Sequence, residues 1–116
     1  MIKMIRVQYF QQLDLLKRSI LSLGEMSELI FKDSMEAVMD LNVVLANKTL
    51  ALEPGVDKLE EGIESSIFDL LALQQPMASD LRLVVSAIKI EADLKRILEL
   101  SINIARIPGK IGTRPC

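Results

Sequence analysis

The chain has 116 residues with 14 basic and 16 acidic side chains, a net charge of −2, which bounds it to one domain and excludes the strongly basic face of a nucleic-acid binder. Half of the residues are apolar, yet Tyr9, Phe10, Phe31 and Phe68 carry the only aromatic rings, a balance that favours helix-on-helix packing over a sheet core. There is no histidine, so Ser–His and Cys–His nucleophiles and His-based zinc sites are excluded as well.

The N-terminal run MIKMIRVQYF lacks the apolar stretch of a signal peptide. A first helix is predicted over residues 3–40, because Leu13, Leu16, Ile20, Leu23, Ser27, Ile30, Ser34, Ala37 and Leu41 recur at alternating spacings of three and four. That spacing keeps one stripe turned toward a partner. Asp40-Leu41-Asn42 is the predicted turn, since Asp and Asn favour caps over helix interiors. A second helix is predicted over residues 43–74, with the stripe Leu45, Thr49, Leu52, Val56, Leu59, Ile63, Ser66, Leu70 and Leu73. Within it, Pro54-Gly55 should kink or break the helix.

The next corner is QQPMASDLR, residues 74–82. Pro76 fits the first turn of a new helix, where its missing N–H is no loss. Gln75, as the residue before proline, should be extended. Ser79 or Asp80 can cap the new helix, and Arg82 can pair back to Asp80 or to a carboxylate on a neighbouring helix. Leu70 to Ser79 is the longest uncharged stretch, well short of the ~20 apolar residues that cross a bilayer. The third helix is predicted over residues 76–106, with Leu83, Ala87, Ile90, Leu94, Ile97, Ser101 and Ile104 as its stripe. Pro108, Gly109, Gly112 and Pro115 mark residues 107–116 as a frayed tail. The lone cysteine, Cys116, has no internal disulfide partner, which favours a reducing, cytoplasmic setting.

Helices of about 30 residues, roughly 45 Å each, joined by short turns give the expected fold: an all-α, antiparallel three-helix bundle over residues 1–106. Leu15, Leu21, Phe31, Val38, Leu71, Leu81, Val84, Val85 and Ile88 lie beside the main stripes, more apolar surface than one slim seam buries. A homodimer covering a second face that includes Leu81, Val84, Val85 and Ile88 is the expected answer.

With no histidine and no GxxxxGK[ST] or GxGxxG loop, chemistry is left to carboxylates, which are oxygen ligands for hard cations or iron. Glu53, Asp57 and Glu60 would stack on one side of a continuous helix. Glu91, Lys95 and Glu99 are spaced by four, and Asp93 and Arg96 by three. The plain alternative for both groups is a solvated helix face with i,i+4 ion pairs, each worth about 0.3–0.5 kcal/mol. A metal-dependent hydrolase has no base beside a recognisable ligand set.

The run LLALQQPMASDLR, residues 70–82, followed by DLKRILELSINIA, residues 93–105, resembles the PhoU family of phosphate-regulon regulators. Members look like QPxAxDLR at the second corner and DLERIGD…NIA along the third helix. FQQLDLLKRSILSLGEMSELI, residues 10–30, is similar to the family's first helix. The resemblance implies a three-helix unit of the kind that full-length members carry twice in tandem, with a homodimer standing in for the tandem pair. It implies a non-enzymatic negative regulator of phosphate uptake, linking the ATPase of a phosphate transporter to a sensor histidine kinase. The alternative is a structural helical module, or half of a tandem protein, with no regulatory activity of its own.

The resemblance also implies residues. Pro76, Asp80, Arg82, Asp93 and Arg96 match the family pattern. Some members hold metal clusters through paired acidic motifs, which fall here on Glu53 with Asp57 and on Lys95 with Glu99. Lys95 departs from the pattern, because an ammonium has no lone pair to offer a metal. If a cation is held, its expected ligands are Glu53, Asp57 and Glu60 facing Glu99. No cofactor and no stoichiometric metal are expected.

Overall fold

The computed structural model describes residues 2–112; the readings of Pro115 and Cys116 lie outside the described residues. Helix α1 spans Ile2–Met39. It ends where Leu41 adopts a left-handed φ of 50°, so that Leu41 N–H donates to Val38 O and Asn42 N–H to Ala37 O. A glycine usually takes that position because it has no Cβ to strain. Asn42 then caps α2, Val43–Leu50, its Oδ1 accepting from Leu45 N–H at 3.0 Å. The predicted turn at Asp40–Asn42 is therefore the observed one.

The predicted second helix is three pieces. After α2 the chain turns at Ala51-Leu52 and restarts as α3, Glu53–Asp69, with Pro54 in its first turn, the position where a missing N–H costs nothing. Leu70–Gln74 then widen into a π-helical turn. The wider turn takes the apolar stripe off the core: Leu70 is fully buried, whereas Leu73 is 72% exposed.

At the corner Gln75 is left-handed, φ 47° and ψ 70°, not extended. The ring of Pro76 disfavours only the right-handed helical region for its predecessor, and a left-handed residue is what turns a chain off a helix end. Met77 is extended, and the last long helix, α4, runs Ala78–Ala105. Pro76 thus lies outside the helix, and neither Ser79 nor Asp80 caps it. The expected tail is also ordered as far as it is described: Ile107–Gly112 form a short helix, α5, with Pro108 fully buried. α5 packs mainly on α2.

Helices α1, α2–α3 and α4 form the antiparallel three-layer bundle, 68 × 21 × 18 Å. α1 and α4 run parallel and share the longest face. The core joins Leu13, Leu16, Leu23 and Ile30 of α1 to Val56, Ile63 and Ile67 of α3 and to Val84, Ala87, Leu98 and Ile102 of α4. Small polar residues in the stripes bond to their own helix: Ser27 Oγ to Leu23 O, Thr49 Oγ1 to Leu45 O and Ser101 Oγ to Ile97 O, at 2.7–2.9 Å. Their hydroxyls are thereby satisfied where the backbones approach.

The α4 stripe keeps Ala87 and Ser101 of the predicted one and elsewhere shifts by one residue, to Val84, Glu91, Leu98 and Ala105. Val84, Ala87, Glu91, Leu98, Ser101 and Ala105 are buried, whereas Ile90 and Ile97 are more than 40% exposed. Val84 belongs to the core and cannot help form a second face. Leu15, Leu21, Phe31, Leu71, Leu81, Val85 and Ile88 are exposed as expected. Among the described residues no helix is long and apolar enough to cross a membrane.

Candidate functional site

The displacement of the α4 stripe puts a carboxyl group into the interior. Glu91 is 5% exposed and Glu60, facing it from α3, is 9% exposed. Each lies where an apolar residue would ordinarily sit, and a buried charge is tolerated only when paired. The pairing comes from Lys95, one turn beyond Glu91. Its Nζ lies 2.9 Å from Glu64 Oε1 and 3.6 Å from Glu60 Oε2. Four charged side chains, two from each helix, therefore close the α3–α4 seam. Glu64, Glu91 and Lys95 border an open groove whose other walls are Ile67, Ile88 and Ala92.

One ammonium does not balance three carboxylates, and the groups divide the excess unequally. Lys95 is held above the ordinary lysine range, first by its hydrogen bond to Glu64. Glu64 is held below the ordinary carboxylate range, first by that same bond. Glu60 is raised, mainly by burial and partly offset by Lys95. Glu91 is raised furthest, to about 7, by burial first and then by Glu64. Glu91 Oε1 meets no hydrogen-bond donor. The nearby Glu64 adds to the effect of burial by disfavouring a second negative charge on Glu91. Near neutral pH the cluster thus holds one fixed cation and one exchangeable proton.

The residues singled out in the sequence are dispersed around this seam. Glu53, in the first turn of α3, has Arg106 Nη2 at 3.5 Å. Asp57 and Glu99 are exposed. Only Glu60 of that set joins the cluster, and among the described residues no three carboxylates gather closely enough to hold a metal ion. The donor set does not fit the metal centre that the resemblance implies, because an ammonium stands where a carboxylate would be needed. Lys95 pairs across to α3, not with Glu99 on its own helix. Asp93 and Arg96 are exposed, and Arg82 and Arg96 make no ion pair among the described residues. Asp80 instead accepts from Tyr9 Oη at 2.7 Å, clasping the start of α4 to α1. The sequence signal for Glu91 was its spacing of seven from Val84 and Leu98, masked by the apolar Ile90 and Ile97 beside it.

The PhoU domain model matches residues 20–107. A "Phosphate-specific transport system accessory protein PhoU homolog" of Rhizobium meliloti (strain 1021) is 34% identical over 83% of this chain and 40% of its own length. The PhoU homolog 2 of Mycobacterium tuberculosis (strain ATCC 25618 / H37Rv) is 32% identical over 89% of this chain and 48% of its own. A homolog from Thermotoga maritima, of the same description and numbered 1, is 30% identical over 85% and 43%. The chain spans less than half the length of these curated relatives. No solved structure matches significantly.

Proposed function

The chain belongs to the PhoU family, and on that premise we propose that it is a non-enzymatic, negative regulator of phosphate uptake that works by docking onto the transport machinery. The observation that carries this reading is the family match over residues 20–107, joined to relatives named as accessory proteins of a phosphate-specific transport system. The surface supports a mechanism of contacts. α4 presents the exposed apolar residues Leu81, Val85, Ile88, Ile90 and Ile97, with Ile88 beside Glu64 and Ile67 of α3 and Ile90 beside Leu16 and Ile20 of α1. Apolar surface of this extent suits protein partners. The ATPase of a phosphate transporter and a sensor histidine kinase are the proposed partners, met in the cytoplasm, and a second copy is the proposed cover for Leu81, Val85 and Ile88.

The test uses the tagged full chain in phosphate-replete cells. The reading expects co-purification of the transport ATPase or the kinase, and raised phosphate uptake on deletion. Recovery of neither, with uptake unchanged, overturns it. A second reading, a structural module that pairs with a like unit, is favoured by the half-length match to the relatives. Unchanged uptake together with a particle of about twice the 13.0 kDa chain mass selects that reading.

A further inference from the structure

The α3–α4 seam needs positive charge whatever the protein's partners are. Glu60 and Glu91 are at least nine-tenths buried, and with Glu64 they set three carboxyl groups against each other across two helices. Such a cluster pushes its helices apart unless a cation is placed within it. Two kinds of cation can do this: a metal ion recruited from solution, or an ammonium carried on the chain.

We infer that Lys95 is a resident counter-ion, whose ammonium fills the place of a divalent cation between α3 and α4, and that removing it uncovers a latent hard-cation site formed by Glu60, Glu64 and Glu91. The geometry carries the argument. Among the described residues, Lys95 Nζ is the one cation that reaches both Glu64 and Glu60 of α3, at 2.9 Å and 3.6 Å. Its stem lies along the groove wall beside Ala92. An ammonium offers three donors but coordinates nothing, so the carboxylates stay spread around it and do not converge. That spread is why no three of them now form a coordination set. Glu64 is half-exposed, so its side chain can swing toward Glu60 and Glu91 once the ammonium is gone. The unmet Glu91 Oε1 supplies a buried oxygen already in place.

The experiment compares the wild-type chain with Lys95→Met, which keeps the apolar stem and removes the charge, using Mn²⁺ as the probe. After dialysis against Mn²⁺ and removal of free metal, Lys95→Met is expected to retain about one ion per chain, the capacity of a single carboxylate site with waters completing it. Its melting temperature should rise with Mn²⁺, whereas the wild type should show neither retention nor a rise. Adding Glu91→Gln to Lys95→Met should abolish the uptake. Stoichiometric Mn²⁺ on the wild type overturns the inference, and so does a folded Lys95→Met chain that takes up none. Should Lys95→Met fail to fold, refolding upon addition of Mn²⁺ supports the inference. Should it stay unfolded with metal, Lys95→Gln, which keeps a hydrogen bond to Glu64, decides by the same two criteria.

Discussion

α4 is flanked by two seams built from opposite materials. Toward α1 it sets Val84 and Ala87 against Leu13, Leu16 and Leu23, an apolar face whose contribution comes from area removed from water. Toward α3 the middle of the same helix meets Glu60 and Glu64 through Lys95 and buries Glu91. The first seam tolerates any residues of suitable size and apolarity. The second is stable only while its charges balance, because a buried carboxylate without a partner costs several kcal/mol, roughly 3–5 when a buried pair is broken. One seam therefore holds the bundle, and the other makes it sensitive to what occupies a few atoms.

Core truncation gives the largest contrast. Leu16 is 1% exposed, and Leu16→Ala should cost about 2–5 kcal/mol in urea unfolding through the cavity it leaves. Leu21, on the same helix and 67% exposed, should cost less than about 0.5 kcal/mol as alanine. A comparable loss at Leu21 would show that this face is covered in solution, and would break the distinction between core and surface along α1.

A smaller effect separates the two seams by pH. Glu91 rises from an ordinary carboxyl value near 4.5 to about 7 in the folded chain, so between these values the folded state binds more protons than the unfolded one. Stability therefore falls as pH rises through this window and levels off above it. Glu60 is raised too and acts in the same direction, whereas the lowered Glu64 acts below the window. The expected loss is of order 1–3 kcal/mol from about pH 4.5 to 7. Glu91→Gln should flatten most of that slope in urea titrations taken at several pH values. A slope that persists unchanged removes Glu91 as its origin.

That buried carboxyl also shows where the sequence stops being legible. On α1 the alternation of Leu13, Leu16, Ile20, Leu23 and Ile30 admits one frame, and the core follows it. On α4 two frames lie one residue apart, Leu83-Ile90-Ile97 and Val84-Glu91-Leu98. Apolarity favours the first, yet the chain takes the second. The reason is non-local: Glu91 is tolerated inside because burial and the nearby Glu64 of α3 raise its pKa to about 7 and keep its proton on, which no local periodicity encodes. Pro54 was legible as a break because its effect is steric and local. The order of α5 was not, because Pro108 is held by burial against the rest of the bundle and not by its neighbours in sequence. The proposed cation ligands share this pattern. Glu53 finds its partner at Arg106, just past the end of α4, and Glu60 at Lys95 on α4.

The smallest expected effect tests a polar tie on the apolar seam. Tyr9 Oη donates to Asp80 Oδ2 at 2.7 Å, so Asp80 of the corner motif acts as a clasp between α1 and α4. Tyr9 is the only tyrosine in the chain, which lets its ionisation be followed directly by phenolate absorbance. Its pKa is raised above 10.0, by desolvation first and then by the hydrogen bond and charge of Asp80. A raised value means that the folded chain favours the protonated phenol. The stabilisation is complete below pH 10 and lost as pH climbs through the folded value. Asp80→Asn should lower the phenol midpoint while leaving the part due to burial. Tyr9→Phe should cost about 1 kcal/mol, a hydrogen bond's usual net worth, since the ring stays packed. If Asp80→Asn leaves the midpoint where it was, the clasp contributes nothing in solution. The α1–α4 seam would then rest on apolar burial alone, and the family's corner motif would need another reason for its aspartate.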